Sequence, residues 1–175
     1  MIAKILCVLA VITESMTIAV VSYMLKYLSV IESFTEVPDE ISLYIPLTGC
    51  RIRCPECNSK WLWEFTGEEL TPVKFLELLQ KHRGITCVCI GGGEGDMQNL
   101  NALFQVAKAY KKKTCWYTGM DYIPDAINLK CLDYIKVGSY KGYPLDNPKT
   151  NQKFYEVHQG TLVNITYKFQ KQNED

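Results

Sequence analysis

Cys50, Cys54 and Cys57 stand within eight residues, with three residues and then two between them. Three thiolates this close can hold three irons of a [4Fe-4S] cubane, whereas closed clusters of this type take four cysteines. One iron then keeps an open position, the feature that separates a reactive metal centre from a structural one. S-adenosylmethionine offers an amine and a carboxylate that can chelate such an iron and bring its sulfonium within reach of an electron from the reduced cluster. Cleavage yields methionine and a 5'-deoxyadenosyl radical. The competing chemistry is a zinc ion on the same cysteines, with His82 or His158 as fourth ligand and no further role than an interaction module. Against it, the chain lacks the second close Cys/His pair that zinc spacings usually show.

A second motif suits the first. Gly91, Gly92, Gly93 and Glu94 follow an apolar run. Glycines without Cβ let the backbone approach a ligand closely and take positive φ, and the Glu94 carboxylate can accept from the cofactor's ammonium group. By itself the loop is a weak signal, since glycine-rich turns before helices also bind phosphates. Beside the cysteine triplet it gains meaning.

These loops need elements to position them. Tyr27–Ser33 and Ile41–Leu47 have strand patterns, the second alternating Ile41, Leu43, Ile45 and Leu47 with Ser42, Tyr44 and Pro46. Thr71 and Pro72 open a helix whose buried face is Phe75, Leu76 and Leu79 and which Gly84 ends. Ile85–Ile90 predicts a strand buried on both faces. Asp96 caps a second helix carrying Met97, Leu100, Leu103, Phe104, Ala107 and Tyr110. Thr114–Thr118 and Leu132–Val137 predict two more strands, with a brief helix opened by Pro124 between them. Leu162–Phe169 predicts a last, alternating strand. The alternation implies a single compact α/β domain, an incomplete (βα) barrel or mainly parallel sheet, with the cysteine and glycine loops facing one another across one rim.

Composition narrows the partners. Nineteen cationic and nineteen acidic side chains cancel, so no overall field draws the chain to nucleic acid or anionic lipid. Lys111, Lys112 and Lys113 read as the solvated end of a helix. The eight cysteines are too unevenly spread for a disulfide scaffold, and Cys87, Cys89, Cys115 and Cys131 fall in apolar runs as small buried hydrophobes. Free thiols point to the cytoplasm. Residues 1–23 form an apolar extension that Glu14 and Ser15 interrupt, a poor membrane span and a leader without a clear cleavage site. The functional domain is expected over 24–175, with translation starting at Met24 or the extension dispensable.

The motifs carry a resemblance. Cys50-Arg51-Ile52-Arg53-Cys54-Pro55-Glu56-Cys57 matches the CxxxCxxC signature of the radical S-adenosylmethionine superfamily, and Gly92-Gly93-Glu94 matches its GGE motif. More narrowly, the chain resembles the activating proteins of anaerobic ribonucleoside-triphosphate reductase. That likeness runs through Leu47-Thr48-Gly49-Cys50, Trp61, Tyr117-Thr118-Gly119, Asp133 to Gly138 and Thr150 to Tyr155.

The resemblance implies an enzyme that abstracts hydrogen from a backbone glycine of the reductase's large subunit, leaving a glycyl radical. It also implies a low-potential electron donor such as flavodoxin or ferredoxin. The sequence departs from the family at Asn58, Glu56, Gly95 and Val137, where histidine, an aromatic, proline and aspartate are frequent. The last two leave the cofactor's ribose and carboxylate contacts open, with Thr118 and Lys136 as candidates. A radical enzyme acting on a small molecule or peptide is the alternative. Trp61 and Trp63 are expected to be core and boundary residues of one extended segment, and Arg51 and Arg53 solvated flanks; the functional alternative for all four is partner docking.

Overall fold

A computed structural model describes residues 25–170. The expected extension over residues 1–23 lies outside them, as does Met24. Among the described residues no helix is long and apolar enough to cross a membrane.

The elements run β1 (Lys26–Tyr27), β2 (Ile31–Ser33), β3 (Ser42–Pro46), β4 (Glu68–Glu69), α1 (Pro72–Lys81), β5 (Cys87–Gly91), α2 (Met97–Ala109), β6 (Lys113–Tyr117), β7 (Tyr134–Val137), β8 (Lys153–His158) and β9 (Thr161–Asn164). A seven-stranded sheet has the order β2-β3-β5-β6-β7-β8-β9, and β1 pairs with β4 in a separate two-stranded sheet. Strands β3, β5, β6 and β7 are parallel; β2, β8 and β9 join antiparallel. The expected α/β class stands, but the sheet is mixed, with parallel strands only at its centre.

Helix α1 starts where the sequence predicts: Thr71 Oγ1 accepts from Lys74 N at 3.2 Å with Pro72 in the first turn. It ends at Lys81, with His82 as its cap, before Gly84 is reached. Asp96 caps α2, accepting from Asn99 N at 3.3 Å. Both helices cover one face of the sheet, where Leu43, Ile45, Val88, Ile90, Trp116 and Ile135 pack with Phe75, Leu79, Leu100 and Phe104. The opposite face carries Cys87, Cys89, Cys115, Tyr117, Tyr134 and Phe154 and is closed by Val37, Leu145 and Ile165. All five residues of β5 are buried, as a strand covered on both sides requires.

Several expectations change. The strand expected over Tyr27–Ser33 divides, because the Lys26 carbonyl and Tyr27 are taken by the loop after β3 and by β4. Pro124 opens a turn, closed by Ile127 N to Pro124 O at 3.1 Å, and the short 3₁₀ helix is Leu129–Cys131. Cys131 is accordingly only partly buried. The lysine run follows the end of α2 with Lys111 and Lys113 exposed, and it is also tied to the fold: Lys111 turns the chain with φ 57°, Lys112 Nζ donates to Ile85 O at 2.6 Å, and Lys113 pairs with buried Glu40. At the C-terminal end the expected strand Leu162–Phe169 becomes β9 followed by a 3₁₀ helix, Thr166–Phe169. Its hairpin partner β8 was hidden. Its signal was Phe154 and Val157 ahead of Gln159-Gly160, a two-residue turn whose positive φ values, 52° and 88°, fit a tight hairpin.

Candidate metal centre

Parallel strands put their following loops on one rim. Here the rim holds the cysteine loop after β3, the glycine loop after β5, Thr118–Met120 after β6 and Gly138–Tyr140 after β7. The cysteine loop is pinned on entry. Leu47 N donates to Gly91 O at 2.8 Å, Gly49 N to Glu64 O at 3.1 Å and Cys50 N to Leu62 O at 3.0 Å. Gly49 has φ 79°, and a Cβ there would lie 2.7 Å from Phe65 Cδ2, so glycine is required. Arg53 takes φ 50°, an uncommon conformation for a side-chain-bearing residue, which turns the chain into Cys54.

The sulfurs are met by backbone donors. Tyr140 N–H reaches Cys54 Sγ at 3.2 Å and Ser59 N–H reaches Cys57 Sγ at 3.3 Å, while Cys57 N closes a turn on Cys54 O at 3.0 Å. Such donors to sulfur tune the potential of a bound cluster. Burial pushes the Cys50 thiol up from its ordinary range, opposed by the backbone N–H groups of Arg53 and Ile52. A bound metal would reverse that preference and hold the thiolate.

Tyr140 is itself held in place. Asn151 Nδ2 donates to Ser139 O at 2.8 Å and Gln152 Nε2 to Gly138 O at 3.0 Å, so the segment before β8 clamps the loop that serves Cys54. These residues stand out in the sequence only through family likeness, because their partners are 12 and 14 positions away.

A cavity of about 560 Å³ opens between the cysteine and glycine loops, lined by Cys50, Arg51, Arg53 and Trp63 on one side and by Gly93, Glu94 and Asp96 on the other. The predicted loops thus face each other. Within the glycine run the roles divide: Gly91 ends β5 in the ladder, Gly92 N donates to Tyr117 O at 2.9 Å, and Gly93 and Glu94 border the cavity. Gly93 has φ 85°, and an added Cβ would sit 2.9 Å from Leu47 Cδ1.

The two remaining candidates separate. Thr118 is buried and donates to Glu94 Oε1 at 2.8 Å, so it reaches this cavity through Glu94. Lys136 lines a different cavity of about 570 Å³, with Tyr117, Tyr140 and Gln152, and its ammonium lies 4.1 Å from the Tyr117 ring centroid. Burial pushes that ammonium below the usual lysine range.

The histidines lie elsewhere. His82 caps the end of α1 and pairs with Glu32, and His158 ends the antiparallel strand β8 beside Glu156, both at the rim where the parallel strands begin. Neither can complete a tetrahedral site with the cysteine loop. Among the described residues no three His, Cys, Asp or Glu side chains are gathered as around a single ion. Cys87, Cys89 and Cys115 are buried in the sheet rather than on the rim loops.

Trp61 and Trp63 depart from the expected extended core segment. They lie on a 3₁₀ turn, Lys60–Trp63, in which no residue is buried.

The rim of this α/β fold thus carries three cysteines in one loop, two of them with backbone donors at sulfur. The family model of a 4Fe-4S single cluster domain matches residues 40–174, and the chain belongs to that family. A search of curated proteins finds no match.

Proposed function

We propose that the chain is a radical S-adenosylmethionine activase whose cluster is held by Cys50, Cys54 and Cys57 and whose protein substrate is an anaerobic ribonucleoside-triphosphate reductase. The observation that carries the reading is the shared cavity: a cysteine with two more close behind it forms one wall, and a glycine followed by a carboxylate forms the other. When bound, the cluster supplies one low-potential electron to the cofactor's sulfonium.

The chain's own residues do the rest. Cys50, Cys54 and Cys57 bind three irons, and the backbone donors at Cys54 and Cys57 offset the charge on sulfur. Gly93 lets the backbone come close to a bound ligand, and Glu94, steadied by Thr118 and by Gly119 N at 3.2 Å, accepts from its ammonium group. The likeness to reductase activators, through the rim motifs and the Asn151–Gln152 clamp, supports the protein substrate.

The second cavity favours another reading. It borders Tyr140, whose N–H touches Cys54, and its volume is in the range for small-molecule sites, so a small substrate could lie beside the cluster. Anaerobic reconstitution with iron and sulfide, followed by an assay for 5'-deoxyadenosine with and without the reductase and by electron paramagnetic resonance, separates the two. A carbon-centred protein radical that needs the reductase supports the activase. No cofactor cleavage under any condition rejects both.

A further inference from the structure

The second cavity, of about 570 Å³, lies on the sheet face opposite the helices, where Tyr117 of β6 and Lys136 of β7 are register partners. The Lys136 ammonium has the Tyr117 ring centroid 4.1 Å away. Among the described residues it has no ion pair and no hydrogen-bond acceptor, although an ammonium offers three donors. A cation withdrawn from water is costly unless a counter-charge meets it, and the ring face offsets only part of that cost. Lys168, the other cation on this wall, is held by Asp39 at 2.9 Å. Glu36 and Asp146 border the same cavity, Glu36 acting on Lys136 from beyond ion-pair distance. One available cation with two carboxylates nearby suits a single negative charge and disfavours a phosphate dianion. Phe34, Leu145 and Phe169 make much of the remaining wall apolar.

We infer that this cavity binds a small organic monocarboxylate, its charge on the Lys136 ammonium and its apolar or aromatic body against Phe34, Tyr117 and Phe169. A pocket with apolar walls and one fixed polar group that orients the ligand has the usual make-up of a small-molecule site. The inference deepens the small-substrate reading above and rests on it only for the ligand's fate, since binding itself needs no cluster. The place suits such a role: Tyr140, on the cavity wall, meets Cys54 through its N–H and accepts from Asn58, next to Cys57, at its hydroxyl at 3.1 Å. The amino-acid end of S-adenosylmethionine carries the same carboxylate chemistry, but the glycine loop and Glu94 border the other cavity. The experiment separates the two sources.

The test is anaerobic calorimetric titration of the full chain, cluster-loaded and metal-free, with phenylacetate, its neutral isostere phenylacetamide and inorganic phosphate. Both forms of the wild type are expected to prefer phenylacetate to phenylacetamide roughly tenfold and to bind phosphate more weakly than phenylacetate. Lys136→Met, which removes a buried charge and so spares the fold, should abolish the preference. Phe34→Ala, at a side chain 75% exposed, should weaken both phenyl ligands and leave the preference intact. Phenylacetate and S-adenosylmethionine should bind the loaded protein together.

No phenylacetate binding, equal binding of the acid and the amide, or a preference that survives Lys136→Met overturns the inference. So does competition between phenylacetate and S-adenosylmethionine, which would give the lysine to the cofactor. If the wild type takes up no cluster, the cluster reading fails instead. Titration of the metal-free chain and of its Lys136→Met variant then still decides whether the cavity recognises a carboxylate.

Discussion

Thr118 donates its hydroxyl to Glu94 Oε1 at 2.8 Å, joining the loop after β6 to the loop after β5. Gly119 N reaches the same oxygen at 3.2 Å, and Met120 N donates back to Thr118 Oγ1 at 3.1 Å. The carboxylate is thereby fixed at the cavity wall by one oxygen. Thr118→Val keeps the shape and removes the hydroxyl, at a cost of about 1.5–3 kcal/mol for a hydrogen bond to a charged group. Affinity for S-adenosylmethionine should fall about tenfold with iron content unchanged, as read by equilibrium binding to the loaded protein. Wild-type affinity in this variant would sink the positioning role.

Cysteine substitutions should sort by place in the fold. Cys54→Ala is expected to lose cluster iron and all cofactor cleavage. Cys87→Ala, deep in the sheet, should keep both and lose about 1 kcal/mol of stability. Iron analysis and denaturant unfolding of the two variants make the comparison; a Cys54→Ala protein that still cleaves the cofactor refutes the ligand set.

The clamp on Tyr140 should act on the redox potential. Gln152→Leu removes the donor that holds Gly138 O and loosens the N–H that meets Cys54 Sγ. Hydrogen bonds to sulfur favour the more negative, reduced cluster, so its potential should become more negative. A spectroscopic redox titration measures this, and an unchanged potential would show that the clamp does not govern the bond.

Gly93→Ala meets two obstacles at once, the φ of 85° and Leu47 Cδ1 at 2.9 Å. A loss of about 1–3 kcal/mol is expected for a strained residue of this kind. Denaturant unfolding reads it directly. Gly84→Ala is the control, since nothing lies within 4 Å of the added methyl.

Lys136 makes stability depend on pH. Burial lowers its pKa, so the folded chain holds the proton less tightly than the unfolded one. The cost is complete below the folded pKa, where both states are charged, and disappears as pH rises to the ordinary lysine value of 10.5. Lys136→Met should therefore melt higher than the wild type at neutral pH, with an advantage that shrinks towards pH 10.5. A melting difference that grows with pH contradicts this.

The amino-acid sequence by itself determined the candidate ligand and glycine loops and the local elements. Three cysteines in eight residues, a glycine run ending in Glu94, the caps Thr71 and Asp96 and the buried run of β5 are all set by neighbours in the chain, through spacing, turn chemistry and periodicity. What tertiary structure alone decided is what stands across space. It sent Lys136 to a second cavity and Thr118 to Glu94, although both lie at the ends of parallel strands, because successive side chains on a strand point to opposite faces. It also brought Tyr140 to Cys54 over 86 positions and left Trp61 at the surface of a short turn. Such long-range pairings depend on how the sheet orders its strands and on which backbone groups remain unpaired at its rim, and no local pattern encodes either.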